Sequence, residues 1–125
     1  MLKHYLLVFA GGGIGASARY WLSGIVYRFL PASFPYGNLI VNITGCFAIG
    51  LITTLLDEKY VSEPALRIFL MVGILGGFTT FSSFSYETAA LLKDSEILLA
   101  SINIAASVFG CLAATFIGIL IGRLA

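Results

Sequence analysis

Four long apolar stretches, each about as long as a bilayer is thick, leave this chain few ways to fold. A hydrocarbon core about 30 Å thick is crossed by about 20 helical residues rising 1.5 Å each. Runs of that length extend from Tyr5 to Phe29, Tyr36 to Leu56, Leu66 to Leu92 and Ile97 to Gly122. Charge is too scarce to coat a water-soluble globule: charged residues make up 10% of the 125 positions, against about 25% in an ordinary soluble domain. Short connectors with turn chemistry separate the runs. The first, Leu30 to Pro35, holds two prolines; the second holds Asp57, Glu58, Lys59, Glu63 and Pro64; the third is the tetrapeptide Lys93 to Glu96. Connectors this short make successive helices antiparallel. The expectation is one all-α membrane domain over residues 1–125, made of four transmembrane helices.

The first run has a second reading as a cleaved leader, with Lys3 as its basic start, Leu6 to Ala10 as its apolar centre and Ala16-Ser17-Ala18 as its cleavage site. Gly11-Gly12-Gly13 fits that reading badly, and the apolar pattern resumes after Arg19, so the run is taken as a span. A net charge of +1 offers no basic surface for nucleic acid. Lys3, Lys59, Arg67 and Arg123 flank one side of the membrane, and Arg28 and Lys93 the other. That bias is weak for a rule that counts basic residues near span ends. Insertion in both orientations, which permits an antiparallel dimer, and a single orientation with the Lys3 side cytoplasmic both stay open. Cys46 and Cys111 lie inside apolar runs and read as small, soft packing residues.

In hydrocarbon the polar residues carry the information. Gly11 and Gly15, and Gly12 and Ala16, form small-xxx-small pairs suited to close helix packing. Arg19 lies well inside its run, where it either snorkels to the interface or pairs within the protein. Asn38, Asn42 and Cys46 share one face of the second run, four residues apart. Asn103, Ser107, Cys111 and Thr115 repeat that spacing in the fourth, beside a ridge of Gly110, Ala114, Gly118 and Gly122. The third run is the least regular. Gly76-Gly77-Phe78-Thr79-Thr80-Phe81-Ser82-Ser83-Phe84-Ser85 packs five hydroxyl residues into seven positions, with Phe at every third. Such residues hold a helix poorly. A mid-membrane break there would free backbone carbonyls, tolerated at that depth only where protein or a cavity surrounds them; a continuous helix with back-bonded hydroxyls is the alternative. Glu87 follows, the one acid inside a run, as part of a polar track or as an anchor of the helix.

The string from Gly76 to Tyr86-Glu87 resembles the signature of the CrcB/Fluc family of fluoride ion channels, together with Gly37-Asn38-Leu39-Ile40-Val41-Asn42, Gly12-Gly13-Ile14-Gly15 and Arg19. The likeness runs the length of the chain. It implies an antiparallel, dual-topology homodimer in the inner membrane of a bacterium, with the third helix broken and two fluoride pathways at the subunit interface. It implies a structural sodium ion held by the backbone carbonyls of Gly76 and Thr79 from both subunits. The family's pore Asn falls on Asn42, its paired aromatics on Phe81 and Phe84, and its fourth-helix Ser on Ser107. Asn38, Asn103 and Cys111 depart from the residues expected at their positions, which leaves the polar lining of the vestibule open.

Fluoride holds its hydration water tightly, so a pore must replace that shell without trapping the ion. Neutral donors meet both demands: the Asn42 amide and the hydroxyls of Ser107, Ser82, Ser83 and Thr80. The electropositive edges of Phe81 and Phe84 add attraction without a fixed charge. Passive, fluoride-selective export that relieves toxicity is the expectation. A small proton-coupled exporter of cationic drugs is the rival; it needs a membrane carboxylate in the first span, where this chain has Arg19. A non-transporting assembly subunit would have no use for polar stripes in three spans. An enzyme is the least favoured class, because the sequence carries neither a nucleophile–base pair nor a cluster of metal ligands.

Overall fold

The structure is a computed structural model that describes residues 1–58 and 63–125; Lys59, counted above among the basic flanks, lies outside the described residues. All of its regular elements there are helical. In chain order they are α1 (Leu2–Phe29), α2 (Tyr36–Glu58), α3 (Pro64–Arg67), a π-helical segment (Ile68–Leu75), α4 (Gly76–Phe78), α5 (Phe81–Lys93) and α6 (Ile97–Leu124). The observed elements overrun the expected spans by up to three residues at an end. Pro64 opens α3 at a position where its missing N–H costs nothing. The α5–α6 turn closes as a Schellman motif: Glu96 N donates to Leu91 O at 2.8 Å and Ser95 N to Leu92 O at 3.1 Å, with Ser95 at φ 61°.

Three helical stretches are long and apolar enough to cross a membrane: Tyr36–Glu58, Pro64–Lys93 and Ile97–Leu124. The 28-residue α1 has the length, but Lys3, His4, Arg19 and five glycines dilute its apolar character.

Glycine sets the packing. A Cβ placed on Gly11 would lie 2.8 Å from Phe69 O and 2.9 Å from Gly73 Cα, and one on Gly77 would lie 2.9 Å from Gly12 Cα. Backbone meets backbone along this seam, as small residues in membrane helices allow. The contact points advance together along both elements, so α1 runs parallel to the π-helical segment and α4. A second seam joins α2 to α6, where a Cβ on Gly110 would meet Ile43 Cδ1 at 3.1 Å and one on Gly122 would meet Thr54 Cβ at 2.8 Å. These two helices are parallel as well. Small residues at i, i+4 spacing in α1 and α6 were legible as such ridges, and each ridge has found its partner.

Charged groups collect at one end of the bundle. Arg67 at the start of the third stretch pairs with Asp57 at the end of α2, and Arg123 of α6 lies 3.7 Å from Glu58. These pairs are solvent-accessible and contribute little to stability; they mark a surface where the chain leaves the apolar layer. The opposite end holds Arg28, Lys93, Asp94 and Glu96.

Candidate functional site

The site begins where regular winding stops. After α4, Thr79 takes φ −82°, ψ 153° and Thr80 takes φ −149°, ψ 110°, both extended, before α5 starts at Phe81. Thr79 N still reaches Leu75 O at 3.0 Å, and its hydroxyl donates to the same carbonyl at 2.9 Å. The next amide has no helical acceptor. It finds one on another helix: Thr80 N donates to Asn42 Oδ1 at 2.8 Å, and Asn42 Nδ2 donates back to Thr80 O at 3.0 Å. Both residues are buried, so this two-way clasp satisfies backbone groups that lipid would leave bare. The sequence put Asn42 in a pore as a donor to an ion. In the structure one of its two amide hydrogens is already committed to the protein backbone, and the other has no partner among the described residues. Thr80 then caps α5, its Oγ1 accepting from Ser83 N at 3.1 Å and donating to Ser83 Oγ at 3.0 Å.

Around the clasp lies a groove of about 370 Å³ between α2, α5 and α6. Asn42 and Cys46 line it from α2, Thr79 to Phe81 and Phe84 from the third stretch, and Ser107, Val108, Cys111 and Leu112 from α6. Five residues expected in a pathway thus meet in one place: Asn42, Thr80, Phe81, Phe84 and Ser107. Ser83 does not line the groove; it stands behind it on the cap. The Phe81 and Phe84 rings are 5.2 Å apart between centroids and tilted by 50°, the arrangement in which a ring offers its edge. Phe81 is 78% exposed on the single chain.

A second network leads from the groove into the bundle. Ser107 Oγ lies 3.5 Å from Asn103 Oδ1, Asn103 Nδ2 donates to Thr88 Oγ1 at 3.0 Å, and Thr88 Oγ1 donates to Phe84 O at 2.7 Å. Asn103 is 2% exposed, and its amide is engaged on both sides, which makes it a support for Ser107 and Phe84. Sequence reading missed Thr88, although its place four residues after Phe84 was a usable signal for back-bonding.

The remaining polar residues gather on the other side of α2. Asn38 Nδ2 donates to Glu87 Oε1 at 2.5 Å. Asn38 also borders a cavity of about 280 Å³ with Arg19, Tyr20 and Ser23. Arg19 forms no ion pair with Glu87; among the described residues Arg19 Nε and Glu87 Oε2 are buried without a hydrogen-bond partner. Of the readings open for Arg19, a direct pair with the acid is therefore not the one adopted.

Gly76 and Thr79, the residues expected to hold a cation, stand where the helical hydrogen-bond pattern lapses. Each carbonyl would ordinarily accept from the amide four residues on. Those amides are engaged elsewhere, Thr80 N by Asn42 and Ser83 N by the Thr80 hydroxyl. Both residues border a cavity of about 130 Å³ shared with Gly45, Cys46, Ile49, Met71 and Leu75. Neutral carbonyl oxygens of this kind are ordinary ligands for hard ions. Among the described residues no group of three or more His, Cys, Asp or Glu side chains is placed to hold a metal.

Comparison with known proteins adds a family to this geometry. Residues 6–119 match the model of a family described as CrcB-like protein, Camphor Resistance (CrcB). A protein of Geotalea uraniireducens (strain Rf4) is 49% identical over 119 residues, covering 95% of this chain and 94% of its own. One of Geobacter metallireducens (strain ATCC 53774 / DSM 7210 / GS-15) is 50% identical over 112 residues, 90% of each chain. One of Geotalea daltonii (strain DSM 22248 / JCM 15807 / FRC-32) is 48% identical over 119 residues, 94% of this chain and 96% of its own. All three relatives bear the name fluoride-specific ion channel FluC.

Proposed function

This chain belongs to the CrcB family, and from that premise we propose that it is a fluoride-specific ion channel of the bacterial inner membrane, passing the ion passively and catalysing no reaction. The observation that carries the reading is the groove in which the Asn42–Thr80 clasp, the tilted Phe81–Phe84 pair and Ser107 converge. Its donors are uncharged. A small anion can exchange water for an amide hydrogen, a hydroxyl and ring edges, and still leave, because none of these binds it as a fixed cation would.

The finer features form one proposal. α1 is the fourth span, and Thr79–Thr80 is the mid-membrane interruption that the irregular sequence from Gly76 to Ser85 implies. The working unit is a dual-topology, antiparallel homodimer. Support comes from the groove, which stays open along one side, and from Phe81, whose ring projects from the single chain. A second copy in lipid would cover that ring and close the wall. Gly76 and Thr79 would hold a sodium ion through backbone carbonyls released from their usual helical amides, supplying a fixed positive charge near the path. Glu87 with Asn38, and Arg19 beside them, form the polar approach.

The test is fluoride efflux from liposomes carrying the purified protein, with chloride efflux as the comparison and no proton gradient imposed. Fluoride is expected to leave and chloride to stay; efflux only under a proton gradient would favour a coupled exporter. In the same assay Phe81→Ile keeps the apolar bulk and removes the ring edge. Fluoride flux is expected to fall at least about tenfold, equivalent to losing about 1.4 kcal/mol at the constriction, with the oligomer unchanged on size exclusion. Wild-type flux in that variant would remove the aromatic pair from the mechanism.

A further inference from the structure

Two thiols that the fluoride pathway does not require stand together on the groove wall. Cys46 of α2 and Cys111 of α6 both line the groove, both are half-buried and neither is in a disulfide. The two helices are drawn together at this level by Thr115, whose hydroxyl lies 3.1 Å from Cys46 O and 3.0 Å from Cys111 O. Both cysteine residues border the groove beside this contact. They are the chain's two cysteines, 65 positions apart and brought to one groove by the parallel packing of α2 and α6.

We infer that Cys46 and Cys111 form a two-coordinate site for a soft, thiophilic metal ion, located in the wall of the ion groove. Thiolate sulfur selects soft ions, and a pair of thiols on one wall suits an ion content with two sulfur ligands. The groove supplies room beside the pair, and the rest of the wall there, Val108 and Leu112, offers nothing that competes for the metal. Loading with mercuric chloride is balanced and needs no oxidant. Two S–H bonds break, two S–Hg bonds form, and two protons and two chlorides leave to water. No atom changes oxidation state. The neutral dichloride can also enter an apolar layer that would repel a bare divalent ion.

The test uses the full-length purified protein in detergent, titrated with mercuric chloride in the presence of a monothiol competitor. One mercury per chain is expected, with both thiols lost together to a thiol reagent, a sulfur-to-mercury absorption band in the ultraviolet, and an intact mass of one chain plus one mercury less two hydrogens. Cys46→Ser and Cys111→Ser should each weaken retention against the competitor by at least about 100-fold, since the second sulfur acts at high effective concentration. Two mercury ions per chain, each on a single sulfur, would overturn the inference. So would a mass corresponding to two chains bridged by the metal, or undiminished retention in either variant. The stoichiometry and mass of the unsubstituted protein decide the matter even where a variant fails to fold, and they stand whether or not the groove conducts fluoride.

Discussion

Asn42→Ala is expected to abolish fluoride flux while leaving the helices in place. The side chain makes two buried hydrogen bonds to Thr80, one to its amide and one to its carbonyl. Removing it strands both groups in a buried position. Each unsatisfied buried group costs about 1–3 kcal/mol, so the arrangement seen here would be destabilised by about 3 kcal/mol after partial relaxation. That lowers the population of the conducting geometry about 100-fold, before counting the lost donor to the ion. Asn42→Asp sharpens the test. Its carboxylate can still accept from Thr80 N but cannot donate to Thr80 O, and it puts a negative charge beside an anion's path. Both variants should reconstitute and show helical circular dichroism, with fluoride-electrode efflux near that of empty vesicles. Efflux within twofold of wild type for Asn42→Ala would mean that the clasp does not hold the groove together.

The second large effect is expected at Gly11, on stability. A Cβ there would sit 2.8 Å from Phe69 O, 2.9 Å from Gly73 Cα and 3.0 Å from Ile74 N. Every one of these atoms is backbone, so no side chain can swing aside. Gly11→Val must separate α1 from the π-helical segment along the whole seam, at a cost of at least about 3 kcal/mol, the upper end for overpacking. The contrast is Gly24→Ala on the same helix, where an added Cβ has nothing within 4 Å. That change should stay within about 0.5 kcal/mol of neutral or gain slightly from better helix propensity. Unfolding by a titrated harsh detergent, followed by circular dichroism, would rank wild type and Gly24→Ala together and Gly11→Val far below. Equal midpoints for all three would show that the seam is softer than its contacts imply.

The chain's text and its structure agree most closely where one residue type has one physical use in lipid. Apolar length marked the three stretches able to cross a membrane, prolines and charges marked the turns, and the glycines of α1 and α6 marked the faces that approach most closely. The stripe of Asn38, Asn42 and Cys46 correctly pointed inward. Its members face two places, however, because Asn38 turns to Glu87 while Asn42 and Cys46 turn to the groove. A four-residue step advances a helix by 400°, so successive members drift around the axis and the stripe need not serve one site. The Asn42–Thr80 clasp was not legible. The sequence held an unusual Asn and a poor helix former 38 residues apart, but pairing across that distance depends on how two seams set the helices side by side. Thr88 was overlooked for a related reason: a hydroxyl in a helix ordinarily bonds to its own preceding turn, and nothing local says that Asn103 will use it as well.

The winding of Ile68–Leu75 was hidden altogether. A segment reading Ile-Phe-Leu-Met-Val-Gly-Ile-Leu is apolar on every side, so its periodicity carries no phase. Its hydrogen bonds reach i→i+5 where an α-helix reaches i→i+4, and such a coil turns less per residue. Everything after it, from Gly76 through Thr80, therefore faces a direction that ordinary helical counting from Arg67 would misjudge. The wider coil upstream helps set the direction in which the Thr80 backbone meets Asn42. Re-winding 68–75 as an ordinary α-helix would turn everything downstream through a different angle about the axis, carrying Thr80 away from Asn42 and reshaping the wall that both of them line.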